Sequence, residues 1–407
     1  MRSPINPAQS RVAPTWATLL LTWVNNLGAA TALIGIYFIT VNKFGFTGRE
    51  NLLLGLLQGV TYIAGALTAG SGVRWLNRRT GLSTRAVLTL IHVIIFALCV
   101  LPLIVGEAWA IWVMVGLYST LTGWLWPTIE SYLSAGRSGH ALRRATGLFN
   151  IGWASSQVVA IWLLVPAMRD PSISLWVLAG MGASHLVCIP FIAAIPREPA
   201  HFGGDASHAH TAAERARYVR LLAGFRIAIV LSYILYSALG PLLPLRTNAL
   251  NVAAAWSAPL VSVWMIARVF TFALMQQWHG WHGRRRTLIW SAGTLVLGFA
   301  GALLAPTWPV LLVALVFFGV GLGGVYSAAF YYAMEVGHAG VDAGGKHEAL
   351  IGVGYSIGPL AALSARQLVP ADASHETNNL AVLVACAILA LIVLAGAARI
   401  VTRRVEP

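Results

Sequence analysis

The sequence predicts an all-α integral membrane protein of twelve transmembrane helices, arranged as two pseudo-symmetric six-helix bundles. Three observations predict it. Hydrophobic residues make up 58% of the 407-residue chain and charged ones only 10%, against about a quarter charged in a soluble domain. Apolar runs of membrane-crossing length recur twelve times. The basic residues gather on alternate connecting segments.

The runs lie near 15–40, 51–73, 86–105, 109–134, 146–167, 173–195, 221–244, 252–275, 286–306, 309–334, 348–369 and 378–401. Each is about the ~20 residues needed to cross a ~30 Å hydrocarbon core. A helix satisfies its own backbone in lipid, so continuous runs of this length read as helices and not as the short alternating strands of a barrel. Arg2 and Arg11 before the first run mimic a signal peptide. That run exceeds the length of a signal core and has no convincing cleavage site, so it reads as the first membrane helix. GPLLP at 240–244 predicts a broken segment in helix seven and part of an outer gate.

Of the 27 lysines and arginines, 21 fall on the side of the amino terminus. Five (Lys43, Arg49, Arg169, Arg246 and Arg366) fall on the other, and Arg268 lies within a helix. The positive-inside rule then puts both termini in the cytoplasm, and a bacterial cytoplasmic membrane is the expected location. The net charge of +14 belongs to these loops, so nucleic acid is not an expected partner; lipid is. Cys99, Cys188 and Cys386 each sit inside an apolar run. No disulfide framework, metal site or cofactor is expected.

The longest polar stretch, PREPAHFGGDASHAHTAAERARYVR at 196–220, divides residues 1–195 from 221–407 and reads as a cytoplasmic linker. Its His201, His208 and His210 offer metal binding as the alternative, and a mobile linker is the better reading. The halves repeat at an offset of 202 residues, which places Gly81 on Gly283, Gly152 on Gly354 and Arg144 on Lys346. Internal repeats of this kind build secondary transporters, with the substrate between the repeats.

With six plus six helices, internal termini and a central loop, the chain resembles the major facilitator superfamily. That superfamily carries a loop between helices two and three of the form Gly-x-Leu-Ala-Asp-Arg-x-Gly-Arg-Arg. LNRRTGLSTR at 76–85 matches it at Leu76, Arg79 and Gly81, with Arg78 in place of the aspartate. The second copy, QQWHGWHGRRR, keeps Gly283, Arg284 and Arg285. The resemblance implies that helices one, four, seven and ten line a central cavity.

An ionisable group at membrane depth costs at least ~2.5–3.5 kcal/mol on the insertion scale and needs a reason. Helix four presents Ser119, Thr122, Gly123, Trp126 and Glu130 at helical spacing, and helix ten Gly321, Gly324, Ser327, Tyr331 and Glu335. Arg268 follows Ser257, Val261 and Trp264 in helix eight, and Glu130 is a candidate partner for it. Asn25 and Asn26 in helix one, Asn150, Trp153 and Gln157 in helix five, Tyr233 and Tyr236 in helix seven, and Tyr355 in helix eleven supply further pathway candidates. Such amides and phenols also hold helices together. Trp16, Trp109, Trp176, Trp256 and Trp308 fit an interfacial belt. His92 and His185 have no motif partner, and no nucleophile triad, Walker loop or zinc signature is present.

These residues predict a non-enzymatic secondary active transporter that moves a small organic solute by alternating access as a monomer. Protons are the expected coupling ion and Glu130 a gating or proton-coupling carboxylate. The alternative is a non-transporting receptor or a lipid-moving protein on the same scaffold. A reporter that is active only in the cytoplasm, inserted within 196–220, is expected to be active. Activity instead from an insertion at residue 170 would reverse the orientation.

Overall fold

The structure is a computed structural model that describes residues 12–137, 139–200, 211–278, 280–336, 341–370 and 372–402. His201, His208, His210 and the side chain of Glu335 lie outside the described residues. Every regular element among the described residues is helical. Twelve membrane-length helices follow in order: α1 Thr15–Phe44, α2 Gly48–Thr80, α3 Thr84–Val105, α4 Ala108–Ser134, α5 His140–Arg169 and α6 Pro171–Ala194, then α7 Ala213–Ala249, α8 Ala254–Gln277, α9 Arg285–Leu304, α10 Trp308–Ala333, α11 Gly344–Gln367 and α12 His375–Val401.

Most ends lie within a few residues of the apolar runs. The exceptions are polar turns that continue a helix beyond lipid. α7 belongs to a helix that begins at Ala212, where Thr211 and Glu214 form a reciprocal capping box, so the last part of the expected linker is helical. α2 begins on a similar box of Thr47 and Glu50. It closes at Gly81, whose left-handed φ of 71° is matched by 67° at Gly283. Both positions of the repeated loop thus share a conformation that glycine adopts without steric penalty. Gly152 and Gly354 do not share surroundings: a Cβ on Gly354 would meet Tyr233, and one on Gly152 would meet nothing.

Two interruptions were differently legible. Helix α7 breaks as its prolines require, with a 3-10 turn at Gly240–Leu242 before Leu243–Ala249. A π-helical turn at Thr31–Gly35 in α1 has no proline or other strong local signal. Such turns occur often at functional sites. Trp16, Trp109, Trp176, Trp256 and Trp308 are at least half exposed, as an interfacial belt requires.

The first six helices meet the last six chiefly through α2 on α11 and α5 on α8, with α4 also on α11. The two main pairs exchange under the repeat. Close approach of α2 and α11 depends on small residues. A Cβ on Gly59 would stand 2.5 Å from the backbone nitrogen of Ser356, and one on Gly345 would stand 2.7 Å from the carbonyl of Ala66. Lipid tails are as apolar as leucine, so this packing and not hydrophobic exclusion drives the contact. Gly59→Leu is therefore expected to lower stability in detergent by about 1–3 kcal/mol, read as an earlier thermal unfolding transition. An unchanged transition would mean that α2 and α11 are not so close.

Candidate functional site

Between the halves lies a cavity of about 70 Å³. That is room for a few waters and far below the ~300–1,000 Å³ of sites that hold organic ligands. Both ends are closed. On the side of the amino terminus, Phe149 of α5 stacks on Phe330 of α10 at 6.2 Å, and Gly344 of α11 rests against Pro127 of α4. On the opposite side, Asn51 donates to the Pro241 carbonyl at 3.3 Å and Trp162 donates to Ser262 at 3.1 Å. The broken segment of α7 thus closes on α2, and Gly240 lies beside Tyr37 of α1. The conformation is occluded.

Glu130 of α4 and Glu348 of α11 line the same cavity and interact directly. Both are about 4% exposed. Tyr62 of α2 donates a hydrogen bond to Glu348. Glu130 Oε2 has no donor facing it, and a carboxylate beside it cannot be one. A hydrogen bond between the two carboxyls can form only when the pair holds a proton. Gly344 makes the approach possible, because a Cβ there would stand 3.1 Å from Glu130 Oε2.

Rings form most of the remaining wall. Tyr355 packs 5.0 Å from Tyr233, 5.6 Å from Tyr236 and 5.8 Å from Tyr62. Trp153 packs 5.2 Å from Tyr326, and Trp126 packs 6.2 Å from Phe149. Asn26, Gln58 and Gln157 add amides. Of these amides, Asn26 donates to the Trp153 carbonyl and Gln58 accepts from Tyr37 at 2.8 Å.

The expected pairing of Arg268 with Glu130 does not form. The Arg268 guanidinium lies 4.4 Å over Trp153 and 4.7 Å over Trp264, and it donates to Gln157. Ring faces and one amide replace a carboxylate as the environment of this buried charge. Arg268 and Trp264 stand behind the cavity wall. The candidates thus divide. Glu130, Asn26, Trp126, Trp153, Gln157, Tyr236 and Tyr355 line the cavity.

Asn150 and Tyr331, with Ser327, line a separate space of about 60 Å³ toward the amino-terminal side. Asn25 is buried with neither amide atom partnered. The upper helix-four and helix-ten stripes pack instead of lining a pathway, with Gly123 on Ala66 and Gly321 on Leu295. His92 and His185 are not isolated: their rings lie 5.5 Å apart, and His185 bonds Tyr118 at 2.9 Å. In the last turn of α2, Arg79 is exposed. Glu198 accepts from Thr84 N at 3.0 Å beside the loop that follows. Gly283 is held by Arg217 and Tyr332, and Arg284 stands at the start of α9 without a side-chain capping bond.

Glu348 was missed because it fell at the expected start of helix eleven, where a charge looks interfacial. Gln58 and Tyr62 lay in a helix without an ionisable residue at depth, although they stand four apart on one face.

Gln157→Leu leaves a charged donor unsatisfied and is expected to destabilise the protein by about 2–3 kcal/mol. Adding Arg268→Met should restore much of that loss. A double variant no more stable than Gln157→Leu would show that this hydrogen bond does not carry the effect.

No protein-family profile matches the chain, and no curated protein sequence does either. Solved structures do. A crystal structure of the nucleoside transporter NupG is 13% identical with a TM-score of 0.66, over 96% of this chain and 99% of that one. A POT family transporter in complex with 5-aminolevulinic acid is 9% identical with a TM-score of 0.70, over 96% of each chain. The human organic anion transporter MFSD10 is 13% identical with a TM-score of 0.61, over 94% of this chain and 100% of that one. The arrangement of the twelve helices is the fold that these solute-transporter structures share.

Proposed function

We propose that the chain is a secondary active transporter that carries a small organic solute by alternating access, with protons as the coupling ion. The observation that supports this is the meeting of Glu130 and Glu348 from opposite halves in a cavity closed at both ends. Two bare carboxylates in contact inside low-dielectric surroundings repel, whereas one shared proton turns repulsion into a hydrogen bond. The closed form therefore carries a proton. Opening toward the amino-terminal side parts α4 from α11 and lets water reach the pair. Opening the other way leaves the pair joined and exposes it through the cavity. Each opening presents the same site to a different compartment, which is what coupling requires.

Both termini are cytoplasmic in this reading, in a bacterial cytoplasmic membrane, and one chain encloses the whole site, so a monomer suffices. The likeness in fold to solute transporters supports the class. Import and export are equally compatible with it.

Purified protein in vesicles with an imposed pH gradient tests this against a panel of sugars, amines, organic acids and nucleosides. Net accumulation of at least one solute is expected. Glu130→Gln and Glu348→Gln should each abolish gradient-driven accumulation by tenfold or more and leave exchange of solute across the vesicle wall. Flux that ignores the gradient would remove protons from the mechanism. No flux of any solute would favour a receptor or a lipid-moving protein.

A further inference from the structure

The proton is not the sole species that could sit between these carboxyls. We propose that the transported solute is an organic cation with an apolar or aromatic body, that it enters when the two halves part and widen the cavity, and that its charged group replaces the proton between Glu130 and Glu348. The inference rests on the transport reading and names its substrate class.

The lining carries two carboxyls and no cation. Arg268 is not among the lining residues and is held by Trp153, Trp264 and Gln157. Glu130, buried and with its Oε2 unpartnered, is part of that lining. Around it stand the faces and edges of Trp126, Tyr62, Tyr233, Tyr326 and Tyr355. Aromatic surroundings with an acid at one end select an ammonium over a neutral group or an anion.

Charge balance gives the stoichiometry. With one shared proton, the acid pair holds a single negative charge. A bound monocation that expels that proton leaves the balance unchanged. A bound anion, or a cation that leaves the proton in place, would change the net charge held at membrane depth, which is costly.

The other titratable groups that face the pair are phenols: Tyr62 from α2, Tyr233 from α7, Tyr326 from α10 and Tyr355 from α11. The neighbouring His347 packs on Phe330 and Tyr326 of α10, 5.9 and 6.2 Å between ring centres, and Arg226 of α7 is the charge closest to affecting it. None of these lies between the two carboxyls.

Benzyltrimethylammonium, whose charge is independent of pH, is the probe. Its controls are the neutral 2,2-dimethylpropylbenzene and the anion benzenesulfonate. Calorimetric titration of the detergent-purified protein in two buffers of different ionisation enthalpy counts the protons released. The cation should bind at least tenfold more tightly than either control and release about one proton. Its Kd should fall about tenfold per pH unit while the pair is protonated, since each lost proton frees the site. Glu348→Gln supplies a permanent donor to Glu130, so that variant should bind the cation with no proton released and no pH dependence.

The wild-type pH dependence stands apart from any variant that fails to fold. Absent cation binding, tighter binding of the anion, or cation binding without proton release would each overturn the inference. Any of those results alongside gradient-driven flux of another solute would leave the transport reading intact. Cation binding with proton release but no flux in vesicles would do the reverse.

Discussion

The site depends on how closely α2 can lie against α11. Gly59 and Gly345 leave no room for a side chain between the two backbones, and the distance they set brings Tyr62 to Glu348 and Glu348 to Glu130. In lipid there is no general hydrophobic drive to press helices together, so the absence of side chains at these points is itself the attractive feature. The polar chemistry of the centre is a product of backbone packing. A residue such as Gly345 can matter to the acid pair without touching a solute.

Arg268 illustrates a second constraint. A guanidinium at membrane depth needs compensation, and the simplest expectation is a carboxylate. The protein uses two indole faces and an amide instead, and this leaves both acids free to face each other. If Arg268 had bridged to Glu130, the cavity would hold a fixed ion pair, which binds neither proton nor cation readily. The aromatic wall both encloses the cavity and hides the charge behind it.

Much of the fold was legible, because hydrocarbon thickness imposes a length and lipid imposes a helix. The ends were less so: the capping boxes at Thr47 and Thr211 start helices in polar sequence, beyond the reach of hydropathy. Within the site, Glu130, Trp126, Trp153, Gln157, Tyr236 and Tyr355 could be found, since a polar or aromatic residue in an apolar run announces itself. Their partners could not. Which groups meet across the halves is decided by helix rotation and crossing, and nothing local records that. Glu348 was misplaced for this reason, and Arg268 was given the wrong neighbour. His92 and His185, 93 residues apart in sequence, face each other through the same kind of geometry.

The π-helical turn at Thr31–Gly35 has a consequence for numbering faces along α1. Such a turn holds more residues than an α-helical one, so the helix beyond Gly35 is offset by about one residue, or ~100° of azimuth. Asn26 and Ala29 precede the offset, and Leu33 and Ile34 lie within it, all on the cavity. Tyr37 follows it and reaches across to Gln58 on α2. A helical wheel drawn through α1 at constant pitch would point Tyr37 in the wrong direction. Deleting a single residue in the turn would straighten the helix while swinging its far third away from α2.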